Sequence, residues 1–292
     1  MIAVAGPLVE PSRALPHAAH RAVGHAAVRA LLRELAAYPK PGLVSFVDPG
    51  SHADMTARHF VRSAASLRPY FGAMAQAGAQ GAGFDRLRRR GVEAEIAMLR
   101  ATGGVNTHRG AIFALGLLAA AAGAAAVERA AGRDVPALGA IVRAAWGAQI
   151  EAHRRDPSSH GSAVTRGGGA RGAQGEAAAG FPSVYRIALP AYRAGLRAGL
   201  DENTASVQAF FALLARVEDT NLVYRGGLEG LRFAQASARR FLDAGGVFAA
   251  GAAQRAVAIH RALVARRLSP GGCADLLAAC LFVAAVGPDS AA

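Results

Sequence analysis

Apolar residues recur at helical spacing along most of the chain and almost never alternate in the two-residue period of a strand. The pattern predicts ten helices, over 17–37, 54 to about 74, 84–100, 107–130, 135–153, 182–198, 203–215, 228–242, 247–266 and 272–286. Pro39 and Pro41 end the first of them, because a proline ring removes a donor and disfavours helix in the preceding residue. Asp54 is placed to cap the second. Two long connections remain: an extended loop over 38–51, and 156–181, whose seven glycines mark it as the longest loop. The run from Ala111 to Val127 is apolar on every side and marginal in length for a membrane span, so it is expected to be a buried central helix. No repeat and no linker divides the chain. The expectation is a single all-α domain over 17–292 with glycine-rich active-site loops, preceded by an irregular arm over 1–16 that carries three prolines.

Composition supports helices. Hydrophobic residues make up 52% of the chain but aromatic residues only 6%, and much of the small-residue content is alanine and glycine. The formal net charge is +13, from 33 Lys and Arg against 20 Asp and Glu, yet Lys40 is the only lysine. Arginine taken up in place of lysine argues weakly for nucleic acid. A basic helical nucleic-acid-binding protein would also give no reason for the polar clusters below, so a polyphosphate is the simpler anionic partner. Cys273 and Cys280, seven apart in an apolar segment, form neither a disulfide framework nor a zinc pattern. With no signal-peptide pattern at the start of the sequence, a cytoplasmic protein with no membrane partner is expected.

Against this apolar background, five polar clusters stand at Gly- and Pro-marked junctions. The densest is Thr102-Gly103-Gly104-Val105-Asn106-Thr107-His108-Arg109-Gly110. Glycine accepts positive φ, and a helix start offers free N–H groups and a positive dipole end, so this segment is expected to bind an anion. Lys40, between two prolines, is presented from a stiff loop and suits a phosphate oxygen. In Gly50-Ser51-His52-Ala53-Asp54, His52 and Asp54 are candidates for metal or ribose, with capping the equal alternative for Asp54. Glu95 shares a helix face with Met98 and Leu99 and is expected to point inward, toward either an arginine or a nucleotide-borne Mg²⁺. Arg171 lies in a glycine-rich loop that matches neither a P-loop nor a dinucleotide fingerprint. In the fifth cluster, Asp219 and Asn221 carry oxygen donors for a cation or ribose. Arg225 offers a phosphate clamp, and Asp275 stands in the first turn of the last helix, where the dipole alone would favour it.

These clusters, in this order, resemble the triphosphoribosyl-dephospho-CoA synthase family. The matching segments are Tyr-Pro-Lys-Pro-Gly-Leu-Val at 38–44, Gly-Ser-His-Ala-Asp-Met at 50–55 and Thr-Gly-Gly-Val-Asn-Thr-His-Arg-Gly-Ala-Ile-Phe at 102–113. Gly-Ala-Arg-Gly at 169–172, Asp-Thr-Asn at 219–221, Arg-Gly-Gly at 225–227 and Ser-Pro-Gly-Gly at 269–272 follow. Three departures stand out. Arg109 occupies a position where the family commonly has lysine, Cys273 stands where serine is expected, and the spacing from Arg171 to Glu176 is longer than the family run.

The resemblance implies transfer of the 5-triphosphoribosyl group of ATP to the 2′-hydroxyl of 3′-dephospho-CoA with release of adenine. The product would pass to an acyl carrier protein transferase, for malonate decarboxylase rather than citrate lyase on the likeness over 44–52. It further implies Mg²⁺ carried with ATP and is compatible with a homodimer. Lys40, His52, Asp54, Gly103, Gly104, Asn106, Thr107, His108, Arg109, Arg171, Asn221 and Arg225 would bind substrate. Glu95, Asp219 and Asp275 would supply catalysis, the first two also holding metal. The enzymatic rival is a hydrolase of ADP-ribose-type glycosidic bonds on a metal-binding helical scaffold.

Overall fold

The computed structural model describes residues 17–155 and 172–287. Among them are eleven α-helices and no strands: α1 His17–Ala36, α2 Ala57–Ala79, α3 Phe84–Thr102, α4 Arg109–Ala130, α5 Leu138–Arg155, α6 Gly172–Ala178, α7 Leu189–Arg197, α8 Glu202–Leu214, α9 Thr220–Asp243, α10 Ala252–Ala265 and α11 Gly271–Val286. A π-helical turn, Val184–Ala188, leads into α7, and a 3₁₀ turn, Gly246–Phe248, precedes α10. The all-α expectation holds. The proposed arm over 1–16 and Arg171 lie outside the described residues.

Boundaries depart from the sequence reading in four places. The start of α2 is capped by Thr56, whose side chain and that of His59 form a reciprocal box, so Asp54 is not the cap. Pro69 is accommodated inside α2, which runs on to Ala79. The end of the predicted 156–181 loop is helical, as α6. The predicted 228–242 helix begins eight residues earlier, because Asp219 caps it, and it bends where Gly227 takes φ 61°.

At the centre lies α4, packed against α1, α2, α3, α5, α6 and α11. Its alanines and leucines from Ala111 to Ala122 are buried almost without a break, as an all-round apolar helix requires. It is also the one described helix long and apolar enough to cross a membrane, and 72% of that apolar window is buried inside the protein. Small residues let its backbone touch α2 directly. A Cβ on Gly78 would come within 1.9 Å of the Ala120 carbonyl oxygen, and one on Gly123 within 1.8 Å of the Ala75 carbonyl oxygen. Nearer the N-terminal ends, the Tyr70 hydroxyl donates to the Ile112 carbonyl at 3.1 Å. Low residue numbers therefore meet low numbers and high meet high: α2 and α4 run parallel. On the other side α8 carries Phe210 and Phe211 into the core, where Phe211 stacks on Phe241 of α9 at 3.9 Å between centroids.

Candidate active site

Four of the five polar clusters, those without Arg171, converge where α1 ends and where α4, α9 and α11 begin. Lys40 lies between the helix-ending prolines, but it does not face water as a surface clamp would. It is 1% exposed and ion-paired with Glu34 of α1, a residue with no part in the sequence reading. Burial pulls the Lys40 ammonium down and pushes the Glu34 carboxyl up from their ordinary values, and their mutual attraction opposes both shifts. The Lys40 loop is tied from below by His260 of α10. Its Nδ1 lies 3.0 Å from the Lys40 carbonyl oxygen, and its Nε2 lies 3.2 Å from Asp48. His260 was also missed by sequence reasoning. Its signal was there: it sits at helical spacing between the buried Ala256 and Leu263.

The Thr-Gly-Gly-Val-Asn-Thr-His-Arg-Gly segment folds as its residue types demand. Gly103 ends α3 with φ 69°, and the Gly104 N–H reaches back to the Leu99 carbonyl at 2.8 Å. Both glycines are exposed, and no atom crowds the place a Cβ would occupy. Asn106 Oδ1 then accepts the Arg109 N–H at 3.3 Å, and Met98 Sδ accepts the His108 N–H at 3.2 Å. The Ala111 N–H supports the carboxylate of Asp275, which reaches across from α11. Thus the backbone donors of this helix start are largely taken by the protein itself, and its positive end faces a carboxylate rather than an open anion pocket. Side chains, not backbone amides, are left free to meet an anion here.

Asp275 lies in the second turn of α11, so the dipole of its own helix is not what places it. Gly110 makes room for it: a Cβ there would lie 1.9 Å from Asp275 Oδ2. The carboxyl is partly buried, and its pKa is pushed well up by burial first and then by the negative charges of Glu34 and Asp219.

Asp219 is only 1% exposed. Its Oδ1 accepts the N–H groups of Asn221 (2.9 Å) and Leu222 (3.3 Å), and its Oδ2 accepts that of Cys273 (2.8 Å). One carboxylate therefore locks the starts of α9 and α11 together. Burial raises its pKa against the pull of those donors, and raises the Cys273 thiol beside it. Asn221 stays exposed, its amide beside Gly271 at the head of α11.

Glu95 does not point inward as expected. It is one-third exposed and pairs with Arg109 Nε at 3.0 Å, the arginine alternative of the sequence reading. The two proposed metal ligands thus have other work, Glu95 with Arg109 and Asp219 with backbone N–H groups. Among the described residues, no three His, Cys, Asp or Glu side chains converge to hold a metal. Glu95 and Asp219 do not fit as a shared Mg²⁺ cradle.

His108 is buried, 4% exposed. Its Nδ1 lies 2.6 Å from Ser63 Oγ of α2 and 3.4 Å from Thr107 Oγ1, and its ring meets Phe60 edge-on. Burial, with the Lys40 charge nearby, pulls its pKa down to about 3, so the imidazole is neutral.

A second group stands at the rim. Arg225, just before the Gly227 bend, donates to the carbonyls of Ser51 and Arg267, each at 3.3 Å. Its Nη2 lies 3.2 Å from His52 Nδ1, and His52 Nε2 lies 2.8 Å from Ser269 Oγ. Burial and Arg225 lower the His52 pKa; exposed Asp54, at 3.6 Å, opposes them. Glu176 accepts the Ser183 N–H at 2.6 Å and so closes the turn after α6.

The family model described as ATP:dephospho-CoA triphosphoribosyl transferase matches residues 20–291, a span that takes in all of these groups. The chain belongs to that family. Relatives carrying the name "Probable 2-(5''-triphosphoribosyl)-3'-dephosphocoenzyme-A synthase" include one from Azotobacter vinelandii, 43% identical over 269 residues, 90% of each chain. Another, from Stutzerimonas stutzeri, is 41% identical over 286 residues, covering 96% of this chain and 97% of its own. A third, from Vibrio cholerae, is 40% identical over 270 residues, 89% of this chain and 86% of its own. No solved structure matches. The protein is a transferase of this family.

Proposed function

We propose that the protein transfers the 5-triphosphoribosyl group of ATP to the 2′-hydroxyl of 3′-dephospho-CoA and releases adenine. The observation that carries this reading is the grouping of Lys40 beside His108 with Asp275 beside Glu34, Lys40 being Glu34's own partner, around the head of α4. The Lys40 ammonium, paired with Glu34, stands near a neutral imidazole and a carboxylate with a raised pKa. That is what a reaction at a sugar carbon beside a triphosphate requires.

In this reading Arg109 and Arg225 hold the triphosphate at the rim, each steadied by protein partners and each with N–H groups to spare. Lys40 supplies a fixed positive charge to the interior. Asp275 is the general base: it takes the proton of the 2′-hydroxyl as that oxygen bonds to the ribosyl carbon, while the carbon–nitrogen bond breaks and adenine leaves with the electron pair and is protonated. A carboxylate whose pKa is raised above its ordinary value is a stronger base, which suits that task. Asp219, sealed and hydrogen-bonded, serves by positioning Asp275's helix. Mg²⁺ would enter with ATP, for which Glu95 and Asp54 are carboxylates near the rim, since the ion typically combines one or two carboxylates with phosphates. The product would serve the acyl carrier subunit of malonate decarboxylase, a reading supported by the likeness over 44–52.

Incubation with ATP, Mg²⁺ and dephospho-CoA, followed by chromatography, tests the chemistry. Adenine in step with modified dephospho-CoA is expected. ADP or AMP instead would sink the assignment, and adenine without dephospho-CoA would favour a glycoside hydrolase. Supplying the product to purified apo acyl carrier subunits of either decarboxylase or lyase separates the two destinations.

A further inference from the structure

The hydrogen-bond accounting around His108 leaves one atom over. Its Nδ1 is engaged by Ser63, yet its Nε2, fully buried, has no partner among the described residues. A polar ring atom sealed from water without a partner is costly, of order 1–3 kcal/mol, and is rarely kept for nothing. What Nε2 can bind depends on whether it carries a proton. Ser63 is 0% exposed on α2, and the hydrogen bond shown for its hydroxyl is the one to His108. A hydroxyl proton needs an acceptor, and Nδ1 is the acceptor at hand. If Ser63 donates to Nδ1, a neutral ring must carry its own proton on Nε2.

We infer that Ser63 is a positioning residue that fixes His108 as the Nε2–H tautomer, so that the ring presents an uncharged, preorganised donor to an oxygen of the bound triphosphate beside Lys40. The inference rests on the proposed function for the identity of that oxygen, but not for the tautomer. Phe60 holds the ring edge-on at 5.0 Å between centroids, and Met98 Sδ fixes the His108 backbone by accepting its N–H. A donor of this kind adds no charge beside Lys40, and being held in place it does not reorganise when the oxygen arrives.

Imidazole nitrogen shifts read the tautomer directly. Histidine labelled with ¹⁵N, assigned through His108→Gln, is expected to show His108 near neutral pH as a single Nε2–H form. A single Nδ1–H form would overturn the inference, and this measurement needs only the native protein. Ser63→Ala is expected to mix the two tautomers and lower kcat about tenfold, equivalent to ~1.4 kcal/mol. Ser63→Thr, which keeps the hydroxyl, should restore both. An unchanged tautomer in folded Ser63→Ala overturns the positioning role. Inorganic triphosphate is the ligand probe: a shift of the Nε2 resonance on its addition is expected, and none would refute the phosphate contact. Should the protein release no adenine at all, the proposed function fails while the tautomer result still stands or falls by itself.

Discussion

Glu34 and Lys40 form an ion pair inside the bundle, joining the last turn of α1 to the loop that follows it. A pair so enclosed is costly to assemble and far costlier to break, because removing one member strands the other's charge away from water. Glu34→Ala should therefore destabilise the protein by about 3–5 kcal/mol. Replacing both, as Glu34→Leu with Lys40→Met, should recover most of that stability while adenine release stays lost. Urea denaturation of the two singles and the double supplies the comparison, and a double mutant as active as the native protein would remove Lys40 from the site.

Asp275 carries the clearest pH signature. Its folded pKa lies above the unfolded value, so between the two the native state holds more protons than the unfolded one. The stability it contributes is complete below the ordinary aspartate pKa and declines as pH rises through the folded value. Asp275→Asn should flatten that decline and make the protein more stable at neutral pH, while lowering kcat by about 10²–10⁴. Thermal melts across pH, beside the adenine assay, give both halves; a variant that loses stability at neutral pH contradicts the burial argument.

Asp219 is expected to behave in the opposite way. Asparagine there turns an amide toward the Cys273 N–H, donor against donor, and alanine removes the caps of two helices at once. Either change should lower stability by about 1–3 kcal/mol. Residual activity should follow the folded fraction at low temperature. Full stability with no turnover would instead return Asp219 to the reacting atoms.

Arg109 pairs with Glu95 where both meet solvent, so the pair itself contributes little, about 0.2–1 kcal/mol. Arg109→Ala should leave the melting temperature nearly unchanged but raise KM for ATP, and Arg109→Lys should restore most of the loss. An unaltered KM in the alanine variant would place the triphosphate elsewhere.

At Gly110, alanine ought to favour the helix by about 1 kcal/mol, since glycine is the poorer helix former. The added Cβ falls on the Asp275 carboxylate, however. Gly110→Ala should thus cut kcat sharply even if α4 is unharmed by circular dichroism. Native turnover would show that Asp275 can move without consequence.

The helices were legible because burial imposes a period that survives even in an alanine-rich chain. What escaped notice were polar residues placed on that same buried period. Glu34 falls three residues after Leu31 and four after Ala30, both buried, and Ser63 stands between Phe60 and Leu67 on the inner face of α2. A charged or hydroxyl side chain at such a position is a readable sign of a partner, but only after the stripe is drawn. The start of α9 escapes the apolar period for a different reason: Asp219-Thr220-Asn221 reads as ligand chemistry, yet an aspartate before free N–H groups is also a cap. Asp275 could not have been placed from local sequence, because what it meets, the head of α4, lies more than 160 residues away. Gly103, Gly104 and Asn106 were read correctly as a tight turn into a helix, but nothing in the sequence said that Met98 and Asp275 would already occupy its donors.

The glycine contacts between α2 and α4 have a reach that their distance from the chemistry conceals. Ser63 stands fifteen residues before Gly78 on one helix, and His108 fifteen before Gly123 on the other. At ~1.5 Å per residue, each crossing point is about 22 Å from the Ser63–His108 pair. Two parallel rods pinned at their far ends set the height of the hydroxyl against the ring as a vernier sets two scales. A methyl group added at either glycine would offset the scales, and the error would be read at the other end.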